Sequence, residues 1–309
     1  MKKGSKTSDF GTTSRVSHDS SAYYDSKLYS ELKAHQDTKP QPDNPFPEEL
    51  VNSVIQGSAE SMNQLPDNCL HLMVTSPPYN VSKVYDEDLS LREYLDLLHK
   101  VLSETFRVLV YGGRACVNVA NVGRKPYIAL SDHISHMMLD IGFSMRGEII
   151  WNKAAGAGVS MAWGSWKSAS NPVLRDVHEY ILVFCKGSFK RLDKGKESTI
   201  ESDQFMEWTK SVWTFNPESA RKVGHPAPFP VELPYRLIQL YTFKNDIILD
   251  PFMGSGTTGV AALKAERKYV GYDIDPKYVE LAESRLKLLK MQMTTDSTKG
   301  MQSALDLGV

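Results

Sequence analysis

Residues 246–275 read DIILDPFMGSGTTGVAALKAERKYVGYDID, and the fold turns on how this stretch is assigned. The apolar run Ile247-Ile248-Leu249 predicts a strand, TTGVAALKAE a helix, and YVGYD a second short strand. Gly254, Gly256 and Gly259 between them fit G-x-G-x-x-G. Asp273 closes the second strand where an acid that holds ribose hydroxyls belongs, though a turn or N-cap acid also fits there. Taken alone, this pattern describes a nicotinamide-dependent oxidoreductase. Such a fingerprint normally opens its domain, however, and roughly 60 residues follow Asp250, room for about two βα units. The remaining strands of the sheet, and the rest of the site, must come earlier in the chain.

The chain has 309 residues, a formal net charge of −1 and an ordinary apolar content of 41%. That composition fits a globular protein with a sizeable core and excludes one coated in positive charge, while leaving room for a local basic groove. Cys69, Cys116 and Cys185 form no C-x-x-C pair and sit in or beside apolar runs, as reduced core residues of a cytosolic protein do. The N-terminus has no apolar signal region and no stretch is long enough to span a bilayer. The expectation is a cytoplasmic protein with no membrane partner and no metal.

Residues 1–45 are polar and Pro-spaced and predict a flexible tail, with a short helix around YYDSKLYSELKAH. From about residue 50 strands and helices alternate. LVNSVIQGSAES and CLHLMVTSPPYN predict strands, LREYLDLLHKVLSETFRVL a helix, and GGRACVNVA a strand after a Gly-Gly turn. YIALSDHISHMMLDIG then predicts a helix, and RGEIIWNK and HEYILVFCKG two more strands. This alternation implies a largely parallel α/β sheet. Residues 154–221 are rich in Gly, Ser, Trp and charge and predict an inserted loop region with a core strand near 178–186. The divisions that follow are 46–153, 154–221, 222–291 and a tail at 292–309.

The second half of the site is MVTSPPYN, residues 73–80. Two prolines after a strand force a rigid extended turn, leave carbonyls free to accept, and constrain Ser76. A plain strand stop gives the same local pattern. Ser76-Pro77-Pro78-Tyr79 together with Asp250-Pro251-Phe252-Met253-Gly254-Ser255-Gly256-Thr257-Thr258 resembles the amino-group DNA methyltransferases. These transfer a methyl group from S-adenosylmethionine to an exocyclic base nitrogen. The catalytic motif precedes the cofactor motif, which resembles the permuted β group of that family. The resemblance runs from about Val54 to Leu289 and takes in HPAPFPVELPYRLI, residues 225–238. Where the family often has Gly-Asp near the adenine, this chain has Gly57-Ser58.

The resemblance implies a Rossmann-like α/β sheet, double-stranded DNA as partner and S-adenosylmethionine as cofactor. Ser76 and the Pro77 carbonyl would accept the protons of the target amine, and Tyr79 would stack on the flipped base. Asp250 would hold the cofactor's amino group, Asp273 the ribose, with Asp275 a lesser candidate. Pro251, Phe252, Gly254, Ser255, Gly256, Thr257 and Thr258 would line the cofactor, and Phe229-Pro230 its methionine part. Ser76 and the HPAPFP segment look most like the N4-cytosine members, N6-adenine being the alternative. Residues 154–221 would recognise the target, through Trp163, Trp166, Lys167, Arg175 and the basic run containing Lys186, Lys190, Arg191, Lys194 and Lys196. For each lysine a solvated loop is the bland alternative. His178 and Glu179 serve strand pairing. None of the cysteines follows a proline, so the thiolate that C5-cytosine methylation needs is missing. A restriction–modification role with a cognate endonuclease, and a homodimer, go with the family. The competing readings are the oxidoreductase and a non-catalytic nucleic-acid-binding module.

Overall fold

The structure, a computed structural model, describes residues 27–30, 42–78, 89–123, 125–153, 164–192, 195–218 and 229–306. Ten strands are found among them: β1 Ser53–Gln56, β2 Leu70–Thr75, β3 Leu109–Val119, β4 Val122–Gly123, β5 Tyr127–Ile128, β6 Phe143–Asn152, β7 His178–Lys186, β8 Val212–Thr214, β9 Ile247–Asp250 and β10 Lys268–Asp273. The main helices are α1 Leu91–Val108, α2 Leu130–Ile141, α3 Ser202–Trp208, α4 Glu232–Tyr241, α5 Thr257–Lys264 and α6 Pro276–Asp306. Eight strands form one sheet in the order β1-β10-β9-β2-β3-β7-β6-β8, and β4 and β5 form a separate hairpin.

Every neighbouring pair is parallel except those made by β7, which runs antiparallel to both β3 and β6. The strand of the opening quotation, β9, lies at the centre between β10 and β2, and all four of its residues are buried. That position explains its unbroken apolar run, because both faces are covered. Ile247 and Leu249 join one core layer with α1 and α2, and Ile248 joins the other with α4 and α5.

Helix α1 starts where expected for a local reason. Ser90 accepts from the Glu93 backbone N–H, and the Glu93 carboxylate accepts from the Ser90 N–H at 2.8 Å, a capping box. Its buried stripe, Tyr94, Leu98, Val101, Leu102, Thr105 and Val108, has helical spacing.

The sequence reading needs amendment in three places, and is met in a fourth. Gly112-Gly113 lies inside β3, where the β2–β3 register shifts, and not in a turn before it. A Cβ at Gly112 would stand 2.9 Å from the Lys190 carbonyl, so the bare backbone admits a crossing loop. Tyr127-Ile128 pairs in a hairpin ahead of α2. The middle region contributes α3 and the edge strand β8. In the N-terminal region Lys27–Ser30 is one helical turn, and the rest of the expected tail before residue 42 lies outside the described residues. Among the described residues no helix is long and apolar enough to cross a membrane.

Candidate functional site

The parallel strands β2, β9, β10 and β3 deliver their carboxyl ends to one edge of the sheet, where ligands bind in open α/β folds. Met73 is in register with Leu249, and Asp250 with Gly271, so Ser76 and the glycine loop emerge side by side. Ser76 is half-buried, Pro77 buried and Pro78 half-buried, immediately past the end of β2. Tyr79 lies outside the described residues, as do Trp163 and His225–Pro228.

The glycine loop folds back on β10. The Gly254 N–H donates to Asp273 Oδ2 at 2.8 Å, and the Asp275 N–H to Asp273 Oδ1 at 3.0 Å. Gly254 and Gly256 have φ of 49° and 80°, a region that favours residues without Cβ. A Cβ on Gly256 would stand 3.1 Å from Ala282 Cβ of α6. From that helix Arg285 donates to the Ser255 carbonyl at 3.1 Å and to Thr257 Oγ1 at 3.0 Å, bracing the loop from behind. Pro251, Ser255, Thr257 and Thr258 are buried, while Phe252 is half-buried against the core. Phe229 is half-buried against the α4–α5 layer and Pro230 is buried. Asp273 stays partly exposed, and burial raises its pKa above the usual carboxylate range. Ser58 faces Glu60, at 3.1 Å.

Asp250, expected to hold the cofactor's amino group, ends β9 with both carboxylate oxygens engaged by protein donors. It is 2% exposed. Its Oδ1 accepts from Thr75 Oγ1 at 2.7 Å and the Phe252 N–H at 3.1 Å, and its Oδ2 from Thr258 Oγ1 at 2.6 Å. Burial pushes its pKa up to about 7, opposed by these three donors. Its partners make it a brace between the residue before Ser76 and the cofactor loop.

Three polar side chains that the sequence reading left out, or left to strand pairing, converge on Ser76. Asn118, 1% exposed near the end of β3, places Nδ2 3.5 Å from Ser76 Oγ and 2.6 Å from Glu179 Oε2. Glu179 also pairs with Lys153 at 2.5 Å. The signal for Asn118 was faint, one amide inside the apolar run ACVNVA.

The expected DNA contacts divide between the two edges of the sheet. Trp166, Lys167 and Arg175 lie on the connection from β6 to β7, which leaves from the same edge as Ser76. There Gly164 bridges Pro172, Trp166 is 64% exposed, and Lys167 Nζ sits 5.6 Å from its ring centre. Because β7 runs antiparallel, the residues after it reach the opposite edge. Arg191 is held there by Asp246 at 2.6 Å, and Lys196 stands 4.0 Å from the same carboxylate. Lys186 donates to Asn68 Oδ1 and the Leu109 carbonyl, each at 2.7 Å. Lys190 is exposed on the same loop, next to Gly112. Lys186, Lys190, Arg191 and Lys196 therefore follow a path that leads to the far edge, where Lys186, Arg191 and Lys196 are engaged within the protein, and Lys194 lies outside the described residues.

All three cysteines are buried, and burial pushes Cys69 up to about 11 and raises Cys116 and Cys185 as well. Among the described residues no group of three or more His, Cys, Asp or Glu is arranged to hold a metal.

A mostly parallel sheet thus brings a glycine loop, the Asp273 carboxylate and a Ser-Pro-Pro turn to one edge, the arrangement in which open α/β folds bind nucleoside-containing ligands. The comparisons with known proteins narrow it. Residues 70–284 match the N6/N4 methyltransferase family model, described as DNA methylase, and the chain belongs to that family. It is 32% identical over 266 residues to the type II methyltransferase M.MthZI of Methanothermobacter thermautotrophicus, covering 74% of each chain. It is 29% identical over 289 residues to M.MjaI of Methanocaldococcus jannaschii, covering 79% of this chain and 94% of the relative. Among solved structures, a Thermus thermophilus protein described as a DNA modification methylase, complexed with S-adenosyl-L-methionine, superposes with a TM-score of 0.63 at 28% identity. That match covers 77% of this chain and 94% of the other. The cytosine-N4-specific PvuII DNA methyltransferase shares the fold at a TM-score of 0.61 and 19% identity, over 80% and 88% of the two chains.

Proposed function

We propose that this chain methylates the exocyclic N4 of cytosine in double-stranded DNA, at a base turned out of the helix, within a restriction–modification system. The observation that carries the proposal is Ser76-Pro77 standing at the carboxyl end of β2 beside the glycine loop of β9. The family's cofactor fits this edge. Asp273 offers a partly exposed carboxylate for ribose hydroxyls, and Gly254 and Gly256 offer backbone without side chains; by the family resemblance, Phe229-Pro230 would take the methionine part. S-adenosylmethionine supplies the electrophilic methyl group when bound.

The chain's own residues prepare the acceptor. The amine of cytosine is a weak nucleophile because its lone pair is delocalised into the ring. The Ser76 hydroxyl and the Pro77 carbonyl each accept a hydrogen bond from one N–H of the amine and turn the lone pair outward, and the single proton released on methylation leaves to solvent. Tyr79 stacks on the extruded base. Asp250, through Thr75 and Thr258, keeps the acceptor turn and the cofactor loop in fixed relation. Serine in the first motif position and the HPAPFP segment favour cytosine over adenine. Residues 154–221 read the target, with Trp166, Lys167 and Arg175 on the DNA side. A cognate endonuclease and a dimer complete the proposal. The test is to incubate the protein with unmethylated genomic DNA and methyl-labelled S-adenosylmethionine, digest to nucleosides and identify the labelled one. The expected product is N4-methylcytosine. Labelled N6-methyladenine overturns the base assignment and keeps the mechanism.

A further inference from the structure

The Ser76 turn is backed by an amide and an ion pair that lie far from it in the chain. Asn118 comes from β3, Glu179 from β7, and Lys153 from just past β6. Lys153 Nζ lies 2.5 Å from Glu179 Oε1, which leaves Oε2 to meet Asn118 Nδ2 at 2.6 Å. A carboxylate only accepts, so this bond decides which way the Asn118 amide faces. With one N–H of Nδ2 committed to Glu179, the other points toward Ser76 Oγ, 3.5 Å away. That separation is the outer limit for a hydrogen bond, and catalytic contacts of this kind often tighten only in the complex with substrate. Asn118 Oδ1 is buried and has no hydrogen-bond partner among the described residues, so there the amide is oriented through its nitrogen.

From this arrangement we propose that Asn118 is a positioning residue for methyl transfer, held by the Glu179–Lys153 pair, and that it restricts the rotation of the Ser76 hydroxyl. A donor from Asn118 occupies one lone pair of Ser76 Oγ. The other lone pair is then held toward the amine, and the hydroxyl is not left to rotate. Since an amide is not an acid at working pH, the chain orients Ser76 without carrying a proton from it to Glu179. The inference rests on the reading of Ser76 as an acceptor for the amine.

The test compares Asn118→Asp, Glu179→Gln and Ser76→Ala with the unaltered full chain. Single-turnover transfer of labelled methyl to unmethylated genomic DNA is measured alongside S-adenosylmethionine affinity by calorimetry. Asn118→Asp keeps the shape and removes both donors. It is expected to slow transfer about tenfold to a hundredfold, the scale set by misplacing a reacting group by about 1 Å. Cofactor affinity stays unchanged. Glu179→Gln retains an acceptor oxygen and costs less, which also covers the case in which Asn118→Asp folds poorly. A second readout needs no activity: the side-chain amide resonances of Asn118 in 15N-labelled protein shift in both Glu179→Gln and Ser76→Ala. If Ser76→Ala loses transfer while Asn118→Asp and Glu179→Gln keep it, the positioning inference is overturned and the Ser76 reading survives. If Ser76→Ala keeps full transfer, both fall. Amide resonances unmoved by either neighbour also overturn the inference.

Discussion

The two edges of the central sheet carry similar residues in opposite conditions. At the carboxyl edge the carboxylates Asp250 and Asp273 are supported by hydroxyls and backbone N–H groups, and burial raises both of their pKa values. At the opposite edge Asp246 is met by Arg191, His71 and the Phe243 N–H, and its pKa is lowered by these partners against the opposing effect of burial. One edge therefore keeps polar groups poised around a crevice, and the other consumes its charges in holding the loop after β7 to the sheet. The lesson is that a charged run is informative only once the edge it reaches is known.

The sharpest way to break this contrast is at Asp246. Asp246→Asn leaves the Arg191 guanidinium, 8% exposed, without its counter-charge. It should cost about 3 kcal/mol in urea unfolding, with cofactor affinity unchanged. A large loss of affinity at unchanged stability would show that the edges are not separable.

Titration should separate the edges next, because their buried groups have opposite signs. Asp250 titrates at about 7 when folded, above its ordinary value, so the folded protein holds more protons across that window. Its contribution to stability is present in acid and is lost as pH rises through about 7. His71 is pushed down to about 4 mainly by desolvation, while its Nδ1 accepts from the Ile247 N–H. Its contribution is present above about 6.5, its ordinary pKa, and is lost as pH falls through about 4. Unfolding free energy measured between about pH 4 and pH 7 should rise more steeply with pH in Asp250→Asn and less steeply in His71→Asn. Identical slopes in both variants would refute the assignment.

A smaller effect is expected at Gly256. Its φ of 80° and the close approach of Ala282 make Gly256→Ala strained, and calorimetry should show about tenfold weaker S-adenosylmethionine binding. The smallest difference concerns DNA. Lys167→Ala should lower the salt-dependence slope of DNA binding by about one unit, while Lys190→Ala, on the far edge, should leave it unchanged.

Much of this molecule was legible because its signals are local. The strand–glycine–helix–strand run at 246–275, the Ser-Pro-Pro stop after β2 and the start of α1 at Leu91 depend on neighbours in sequence, and all lie where expected. The site's supports were not legible, because they are made across the sheet. Thr75 reaches Asp250 over 175 positions, and Asn118 reaches Glu179 over 61. Where the basic run after β7 leads was not legible, for a topological reason. One reversed strand in a parallel sheet sends everything that follows it to the other edge, and apolar periodicity does not reveal strand direction. The engagement of Asp250 by two threonines was not legible either, because a motif acid looks the same in sequence whatever it faces.

The central claim, that cofactor and DNA are handled at the carboxyl edge alone, is tested most directly by amide hydrogen exchange. Spectra of the free protein are compared with those after adding S-adenosylmethionine and then double-stranded DNA. The account predicts slowed exchange at Ser76, Gly254–Thr258 and Asp273 with the cofactor, extending to 164–175 with DNA, and none at 186–192. Protection at 186–192, or its absence around Gly254–Thr258, would contradict it.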